Sequence, residues 1–245
     1  MVVMLDNEAE NMSEENKKKL DEQLIRCVLD DKLSNDKKLR KMGYIVKLGA
    51  DVNAECGLGY SVLSLAKMMQ NDEVVSFLEE RGANDIGFDK EKAEDFFKSA
   101  SVEEINRALK VLPEGFELNC DVDLRKRDLT ELPDFSRVVV NGNFNCGGNQ
   151  LDSLEGAPRE VAGDFYCSKN KLVNLEGAPV EVGGDFVCDI NKLVNFEGAP
   201  VEVGGFFYCF DNPLKSYKGK PNKIGGNFYA PSIEQVNIIN GGNVR

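Results

Sequence analysis

The feature that most constrains the fold is an internal repeat of 21 residues in the second half of the chain. Four copies begin at Leu151, Leu172, Leu193 and Leu214, and a weaker copy precedes them. The first and second copies match at 14 of 21 positions, and the second and third match at 15 of 21. A unit this short cannot bury an apolar core alone, so consecutive units must stack and share one. The repeat therefore predicts a solenoid.

Each copy contains one segment with the alternating pattern of a short β-strand, for example residues 164–167 with the sequence DFYC. Strands from stacked copies would lie about 4.8 Å apart and pair into a single parallel sheet. The Gly-Gly pairs before these segments, such as Gly183-Gly184, are expected to provide a bend or a positive φ. Two further columns with the same period are interpreted as structural, one of buried reduced thiols and one of amides that satisfy loop backbone groups. They comprise Cys146, Cys167, Cys188 and Cys209, and Asn149, Asn170, Asn191 and Asn212.

The strand segment and the residues after it follow a fixed pattern, F-x-C-x-x-N-x-L, at Phe165, Cys167, Asn170 and Leu172. This pattern resembles the L-x-L-x-x-N/C-x-L core of the leucine-rich repeat, with Phe and Cys in place of two leucines. The resemblance covers about residues 118–240, and the whole unit is similar to repeats in proteins of bacteria and large phages. It implies a leucine-rich-repeat solenoid that binds another protein through the concave face of its sheet.

The first half of the chain has a different period. Gly49, Gly82 and Gly115 are spaced 33 residues apart. The segment 61–66 reads SVLSLA, and the segment 73–84 reads EVVSFLEERGAN. The spacing and the first segment resemble the 33-residue ankyrin repeat with its T-P-L-H-x-A motif, and the second segment is similar to the second helix of that repeat. This resemblance implies three ankyrin-like helical pairs over about residues 17–115.

Together, the two repeat types predict an α+β repeat protein in three parts. Residues 1–16 are predicted to be a disordered or frayed N-terminus, residues 17–116 an ankyrin-like helical domain, and residues 117–245 the leucine-rich-repeat solenoid. The N-terminal sequence has no signal-peptide pattern, and no apolar stretch reaches the length of a membrane span. An odd number of cysteines without such a signal indicates reduced thiols. We therefore expect a cytoplasmic protein, with delivery to a host by some other signal left open.

The composition argues against several kinds of function. Histidine is absent, which removes histidine-based acid–base catalysis and histidine-containing zinc sites. The net charge of −12 argues against a partner that is a nucleic acid or an anionic membrane, because both are bound mainly through Lys and Arg. A straight column of cysteines does not converge on one metal ion. We therefore predict no cofactor, no metal and no enzymatic activity.

The candidate site lies on side chains that alternate away from the core. If Phe165 and Cys167 point inward, their neighbours in the chain point outward. In one copy all three outward positions are aromatic, and acidic residues lie on the neighbouring copies. Exposed apolar patches with polar rims mark interaction sites and favour Tyr and Phe. The predicted protein-binding residues are Asp164, Tyr166, Asp185, Asp189, Phe206, Tyr208, Phe210 and Tyr229.

These outward residues have alternative interpretations. Phe206 and Phe210 could pack against the C-terminal segment or against a second copy of the chain, so that a homo-oligomer is one alternative. Asp164 and Asp185 could form a carboxylate pair at glycosidase spacing, or join Asp189 in a weak calcium contact. An open sheet offers no deep pocket that excludes water, so catalysis is disfavoured. The favoured function is a non-enzymatic module that binds an unidentified protein, and the alternatives are a self-associating structural protein or an effector with an enzymatic activity.

Overall fold

A computed structural model describes residues 12–232 of the chain. The chain divides into two compact units, of which the first ends at Phe96 and the second begins at Phe97. Helices fill the first unit, and a solenoid of parallel strands makes up most of the second. The predicted α+β repeat architecture is therefore confirmed.

Six helices are present in the described residues, and they follow one another as three pairs. They are α1 (Glu14–Leu29), α2 (Asn35–Lys47), α3 (Val62–Met68), α4 (Asp72–Glu79), α5 (Lys90–Ser99) and α6 (Val102–Leu109). Helix α1 begins within the segment 1–16 that was predicted to be disordered or frayed. The hydroxyl of Ser13 accepts a hydrogen bond from the backbone N–H of Asn16, and this cap fixes the start of the helix. Residues 1–11 of that predicted segment lie outside the described residues.

A buried lysine joins the first two helices of the first unit. Lys38 is only 3 % exposed, and its ammonium donates a hydrogen bond of 2.9 Å to the carbonyl oxygen of Val28, near the end of α1. A cation at this place satisfies a carbonyl that has no partner within its own helix and interacts favourably with the negative end of the helix dipole. Lys38 therefore acts as a C-terminal cap for α1.

The solenoid contains twelve short strands in the described part of the chain, and they form two sheets. The strands are β1 (Phe116–Leu118), β2 (Val122–Asp123), β3 (Val138–Val140), β4 (Phe144–Asn145), β5 (Glu160–Val161), β6 (Phe165–Tyr166), β7 (Glu181–Val182), β8 (Phe186–Val187), β9 (Glu202–Val203), β10 (Phe207–Tyr208), β11 (Lys223–Ile224) and β12 (Phe228–Tyr229). Odd-numbered strands form the first sheet in the order β1-β3-β5-β7-β9-β11, and even-numbered strands form the second in the order β2-β4-β6-β8-β10-β12. All neighbouring strands are parallel.

The prediction of a single parallel sheet is wrong, because each turn of the solenoid contributes two strands. The two-residue segment before each Gly-Gly pair also pairs with its equivalent one turn away, as Val182 does with Val203. The chain bends at Gly183-Gly184 and enters the second sheet at Phe186. The bend separates two strands of two residues each, and the repeat pattern alone does not distinguish this arrangement from one strand.

The Gly-Gly pairs are required for close approach between turns rather than for a positive φ. A Cβ atom on Gly204 would lie 2.1 Å from the carbonyl oxygen of Gly183, which is far inside van der Waals contact. The bends are also hydrogen-bonded to one another, since the N–H of Gly205 donates to the carbonyl of Gly184 at 2.8 Å. A positive φ occurs instead in the E-G-A-P turns, for example 84° at Gly177. The glycine column thus allows successive turns to stack backbone on backbone.

Replacing Gly204 by alanine is expected to lower the free energy of unfolding by about 1–3 kcal/mol, because the new methyl group forces the backbone to shift. Urea denaturation followed by circular dichroism measures the change. Gly43 in α2 serves as a control, because a Cβ there would lie 3.8 Å from the Phe77 ring. Gly43→Ala should be neutral or stabilise by up to about 1 kcal/mol, as alanine favours a helix. A Gly204→Ala variant as stable as the wild type would contradict the packing described for the bends.

Phenylalanine and cysteine side chains fill the space beneath the second sheet. The rings of Phe144, Phe165, Phe186 and Phe207 are fully buried and stack one above another, with centroids 5.4, 5.4 and 5.1 Å apart. The four cysteines of the column are buried as well. The predicted inward direction of Phe165 and Cys167 is therefore confirmed. Each residue of the column covers its neighbour in the next turn, which is how a unit too short for a core of its own becomes stable.

The asparagine column is structural, as the sequence predicts. The side-chain oxygen of Asn191 accepts from the N–H of Leu172 at 3.1 Å in the preceding turn. Its amide nitrogen donates to the carbonyls of Cys167 and Cys188 at 3.1 and 3.0 Å. Asn170 and Asn212 repeat this arrangement one turn before and one turn after. Each amide thus connects its own turn to the preceding one.

Candidate binding surface

Four aromatic side chains lie together on the outer face of the second sheet, two of them exposed and two half-buried, and we call them the aromatic cluster: Phe206, Tyr208, Phe210 and Tyr229. The rings of Tyr208 and Tyr229 stack with centroids 5.0 Å apart and an interplanar angle of 9°. Phe206 lies 5.8 Å from Tyr208, and Phe210 lies 6.3 Å from Tyr229. Phe206 and Phe210 remain 36 % and 44 % exposed. Strands β10 and β12 position the cluster by turning Phe207 and Phe228 to the opposite side of the sheet.

Two of the predicted acidic residues hold successive turns together. One carboxylate oxygen of Asp164 accepts from the N–H of Asp185, and one of Asp185 accepts from the N–H of Phe206, both at 2.7 Å. Asn143 occupies the same position one turn earlier, and its side-chain oxygen accepts from the N–H of Asp164 at 2.8 Å. The recurrence of Asp or Asn at this spacing is the signal that the sequence analysis did not use. These aspartates therefore have a structural role, whatever else they do.

Asp189 has a similar position at the other end of the strand. One of its carboxylate oxygens accepts from the N–H of Phe210 at 2.6 Å. Burial raises the pKa of Asp189 above its usual value, the hydrogen bond from Phe210 opposes that rise, and the nearby charge of Asp211 adds to it. Asp185 and Asp189 thus lie directly beside the backbone of two residues of the aromatic cluster.

Tyr166 and Asp164 lie apart from the aromatic cluster. Tyr166 is paired with Val187 of β8, and Val187 in turn is paired with Tyr208, so a valine separates the two tyrosines along the sheet. The Tyr166 hydroxyl donates to the second carboxylate oxygen of Asp164 at 2.7 Å. This hydrogen bond is the main cause that raises the pKa of Tyr166 to about 12. The eight predicted residues therefore share one face, but only six of them, without Tyr166 and Asp164, form a compact group.

The cysteine column has the properties of unreactive thiols. Burial raises the pKa of Cys146 and of Cys209 to about 12, and it raises those of Cys167 and Cys188 well above 9.0. The thiol of Cys188 donates to the carbonyl of Tyr208 at 3.3 Å. Within residues 12–232 no group of three or more Cys, Asp or Glu side chains is arranged to hold a metal ion. These cysteines therefore serve as small apolar side chains.

The thiol pKa values predict a loss of stability at high pH. The usual pKa of a cysteine is 9.0, so above pH 9 the unfolded chain releases thiol protons that the folded chain retains. The free energy of unfolding should fall by up to about 1.4 kcal/mol per thiol and per pH unit in this range. Urea denaturation at pH 8 and pH 10 measures the slope. A Cys167→Ala/Cys188→Ala variant should show a smaller decline, and equal declines would contradict the assigned role of the thiols.

A shallow pocket of about 310 Å³ lies at the start of the solenoid and is lined by Lys98, Asp123, Arg125, Lys126 and Arg127. Two of its cations already have partners. Arg125 forms an ion pair of 2.7 Å with Asp123, and Arg127 donates to the carbonyls of Phe97 and Ala100 at the end of α5. The backbone N–H of Arg127 also donates to the side-chain oxygen of Asn149 at 2.9 Å. Arg127 therefore connects the first residue of the asparagine column with the end of α5, a role that the sequence analysis missed.

No helix in residues 12–232 has both the length and the apolar character needed to cross a membrane. Comparison of the chain with known protein families, with curated proteins and with solved structures finds no match.

Proposed function

We propose that this protein is a non-enzymatic interaction module that binds another protein through the aromatic cluster. The observation that carries the proposal is the cluster itself, in which four aromatic rings contact one another at the surface while two of them remain more than a third exposed. Exposing apolar rings to water is unfavourable, and aromatic residues are enriched at protein interfaces. A surface of this kind is typical of a binding site.

The rigidity of the solenoid supports the same proposal. The backbone beneath the cluster is held by Phe207 and Cys209, which are fully buried, and by the carboxylates of Asp185 and Asp189. The aromatic side chains therefore start from a fixed backbone and lose little conformational entropy when a partner binds. Binding at a preordered surface of this kind costs less free energy for ordering than binding at a flexible loop does.

We further propose that the solenoid is a variant of the leucine-rich repeat and that the helical pairs are of the ankyrin type. The F-x-C-x-x-N-x-L pattern supports the first, because its Phe, Cys, Asn and Leu side chains are the buried or hydrogen-bonded ones in β6 and the turn after it. The sequential helix pairs and the loop bond between Asn84 N–H and the side-chain oxygen of Asn53, 31 residues earlier, support the second. The seven free cysteines support a cytoplasmic location, where thiols stay reduced.

A peptide selection tests the proposed function. A random peptide library displayed on phage is selected on the immobilised full-length chain, and the selected peptides are then tested on the Phe206→Ser/Tyr208→Ser/Phe210→Ser variant. We expect this variant to lose the selected peptides. Val180→Ser/Val201→Ser is the matched control, because it removes two side chains that are 49 % and 46 % exposed outside the cluster. Both variants should keep the circular-dichroism spectrum of the wild type.

Two results would contradict the proposal. Equal retention of all selected peptides by the wild type and the triple variant would show that the cluster does not bind them. A wild-type chain that dimerises in sedimentation equilibrium, together with a monomeric triple variant, would assign the cluster to self-association instead.

A further inference from the structure

The aromatic cluster is bordered by negative charge that nothing in the described residues neutralises. Asp185 and Asp189 are half-buried, and each uses one carboxylate oxygen for the N–H of Phe206 or Phe210. Neither forms an ion pair with a Lys or Arg of residues 12–232, and the second oxygen of each carboxylate accepts no hydrogen bond within that range. Two carboxyl groups next to apolar rings are therefore available to a cation from outside.

The rings themselves lie in the field of these carboxylates. Desolvation raises the pKa of Tyr208, and the charges of Asp185 and Asp189 contribute to the rise, as does Tyr229. The faces of aromatic rings are also the negative side of their quadrupole, so ring faces and carboxylates attract the same kind of ligand. An anionic partner would meet repulsion at this surface, in a chain that already carries a net charge of −12.

We propose that the aromatic cluster binds arginine side chains of a basic peptide segment in the partner, an inference that rests on the proposed function. Guanidinium groups of this segment stack flat on rings of the cluster, and each donates its N–H groups to the free carboxylate oxygen of either Asp185 or Asp189. Arginine fits better than lysine, because its planar group stacks on aromatic faces and presents several donors in a fixed arrangement. The apolar part of the arginine side chain covers the exposed edges of Phe206 and Phe210.

The experiment is an NMR titration of the ¹⁵N-labelled full-length chain with a synthetic peptide in which arginine alternates with glycine. The amide signals of Phe206 and Phe210 are direct reporters, because both N–H groups bond to the carboxylates concerned. The comparison peptide carries citrulline, which has the shape of arginine but no charge. We expect these signals to shift on titration with the arginine peptide. The citrulline peptide should bind about tenfold more weakly, because it lacks the cation–π and ion-pair contacts of the charged guanidinium.

The informative variant is Asp185→Asn/Asp189→Asn, which removes both charges and keeps a side-chain oxygen for each N–H. Asn143 already serves this purpose in an earlier turn, so we expect the variant to fold. It should bind the arginine peptide about tenfold more weakly than the wild type, because its ion pairs with both carboxylates are lost. The control is Asp152→Asn/Glu155→Gln, which removes two exposed charges elsewhere on the solenoid and should change the affinity less than about twofold.

Equal binding of the arginine and citrulline peptides would overturn the inference. A loss of affinity in the control variant as large as that in Asp185→Asn/Asp189→Asn would also overturn it, because such a result would indicate general attraction of the peptide to an acidic protein. The phage selection separates this failure from failure of the proposed function. Selected peptides that need the cluster but lack Arg would leave the proposed function standing and overturn this inference alone.

Discussion

Replacing Phe186 by alanine is expected to lower the free energy of unfolding of the solenoid by about 3–5 kcal/mol, the usual cost of removing a fully buried aromatic side chain. The Phe186 ring is 0 % exposed and stacks between the rings of Phe165 and Phe207, at 5.4 and 5.1 Å. Neighbouring turns cannot close the resulting cavity, because the paired strands and the stacked glycine bends fix their spacing. Guanidinium denaturation monitored by circular dichroism measures the loss.

A surface substitution provides the control for Phe186→Ala. Val201 is 46 % exposed, and Val201→Ala should change the free energy of unfolding by less than about 0.5 kcal/mol. If Phe186→Ala cost no more than this control, the phenylalanine column would not be the core of the solenoid.

Replacing Asn191 by alanine is expected to cost about 3 kcal/mol, because the four hydrogen bonds of its side chain are lost and a buried N–H is left without a partner. The N–H of Leu172 bonds only to the Asn191 side chain among the described hydrogen bonds. The carbonyls of Cys167 and Cys188 each keep one other donor, from Asn170 and Asn212 respectively. The largest part of the loss therefore comes from the unpaired Leu172 N–H, and the same denaturation experiment measures it.

The matched control for Asn191 is Asn174, whose side-chain oxygen accepts only from the N–H of Glu176 within its own turn. Asn174→Ala should cost less than about 1 kcal/mol, because this N–H can bond to water instead. Similar losses for the two alanine variants would show that the asparagine column adds nothing beyond ordinary turn hydrogen bonds.

The sequence was sufficient to predict the solenoid and its inward columns, because a strict period of 21 residues places equivalent side chains one above another. Phe165, Cys167 and Asn170 lie where this pattern puts them. The second sheet could not be predicted in the same way. Glu181 and Val182 occupy only two residues of extended chain before a glycine bend, and such a short segment carries no distinct alternation. Only pairing with the next turn makes it a strand.

The alternation of inward and outward side chains along the strands predicted the aromatic part of the candidate site. It did not predict the structural role of the aspartates in that site. Tyr208 and Tyr229 lie side by side because they are one period apart on paired strands. The hydrogen bonds of Asp185 and Asp189 depend on the distance from a carboxylate to the N–H of the next turn. That distance is set by the bend geometry, which composition and spacing do not specify. The sequence therefore identified which residues lie on this face of the sheet. It did not identify which of them also hold neighbouring turns together.

The central claim is that one turn of the solenoid has two separate functions, with Phe207 holding the fold and Phe206, Tyr208 and Phe210 serving a partner. The most direct measurement is the free energy of unfolding of the Phe206→Ser/Tyr208→Ser/Phe210→Ser variant, determined by guanidinium denaturation beside the wild type and Phe186→Ala. We predict a loss well below that of Phe186→Ala, no more than about 2 kcal/mol for three partly exposed side chains. A loss as large as that of Phe186→Ala would place the aromatic cluster in the core and contradict its assignment as a binding surface.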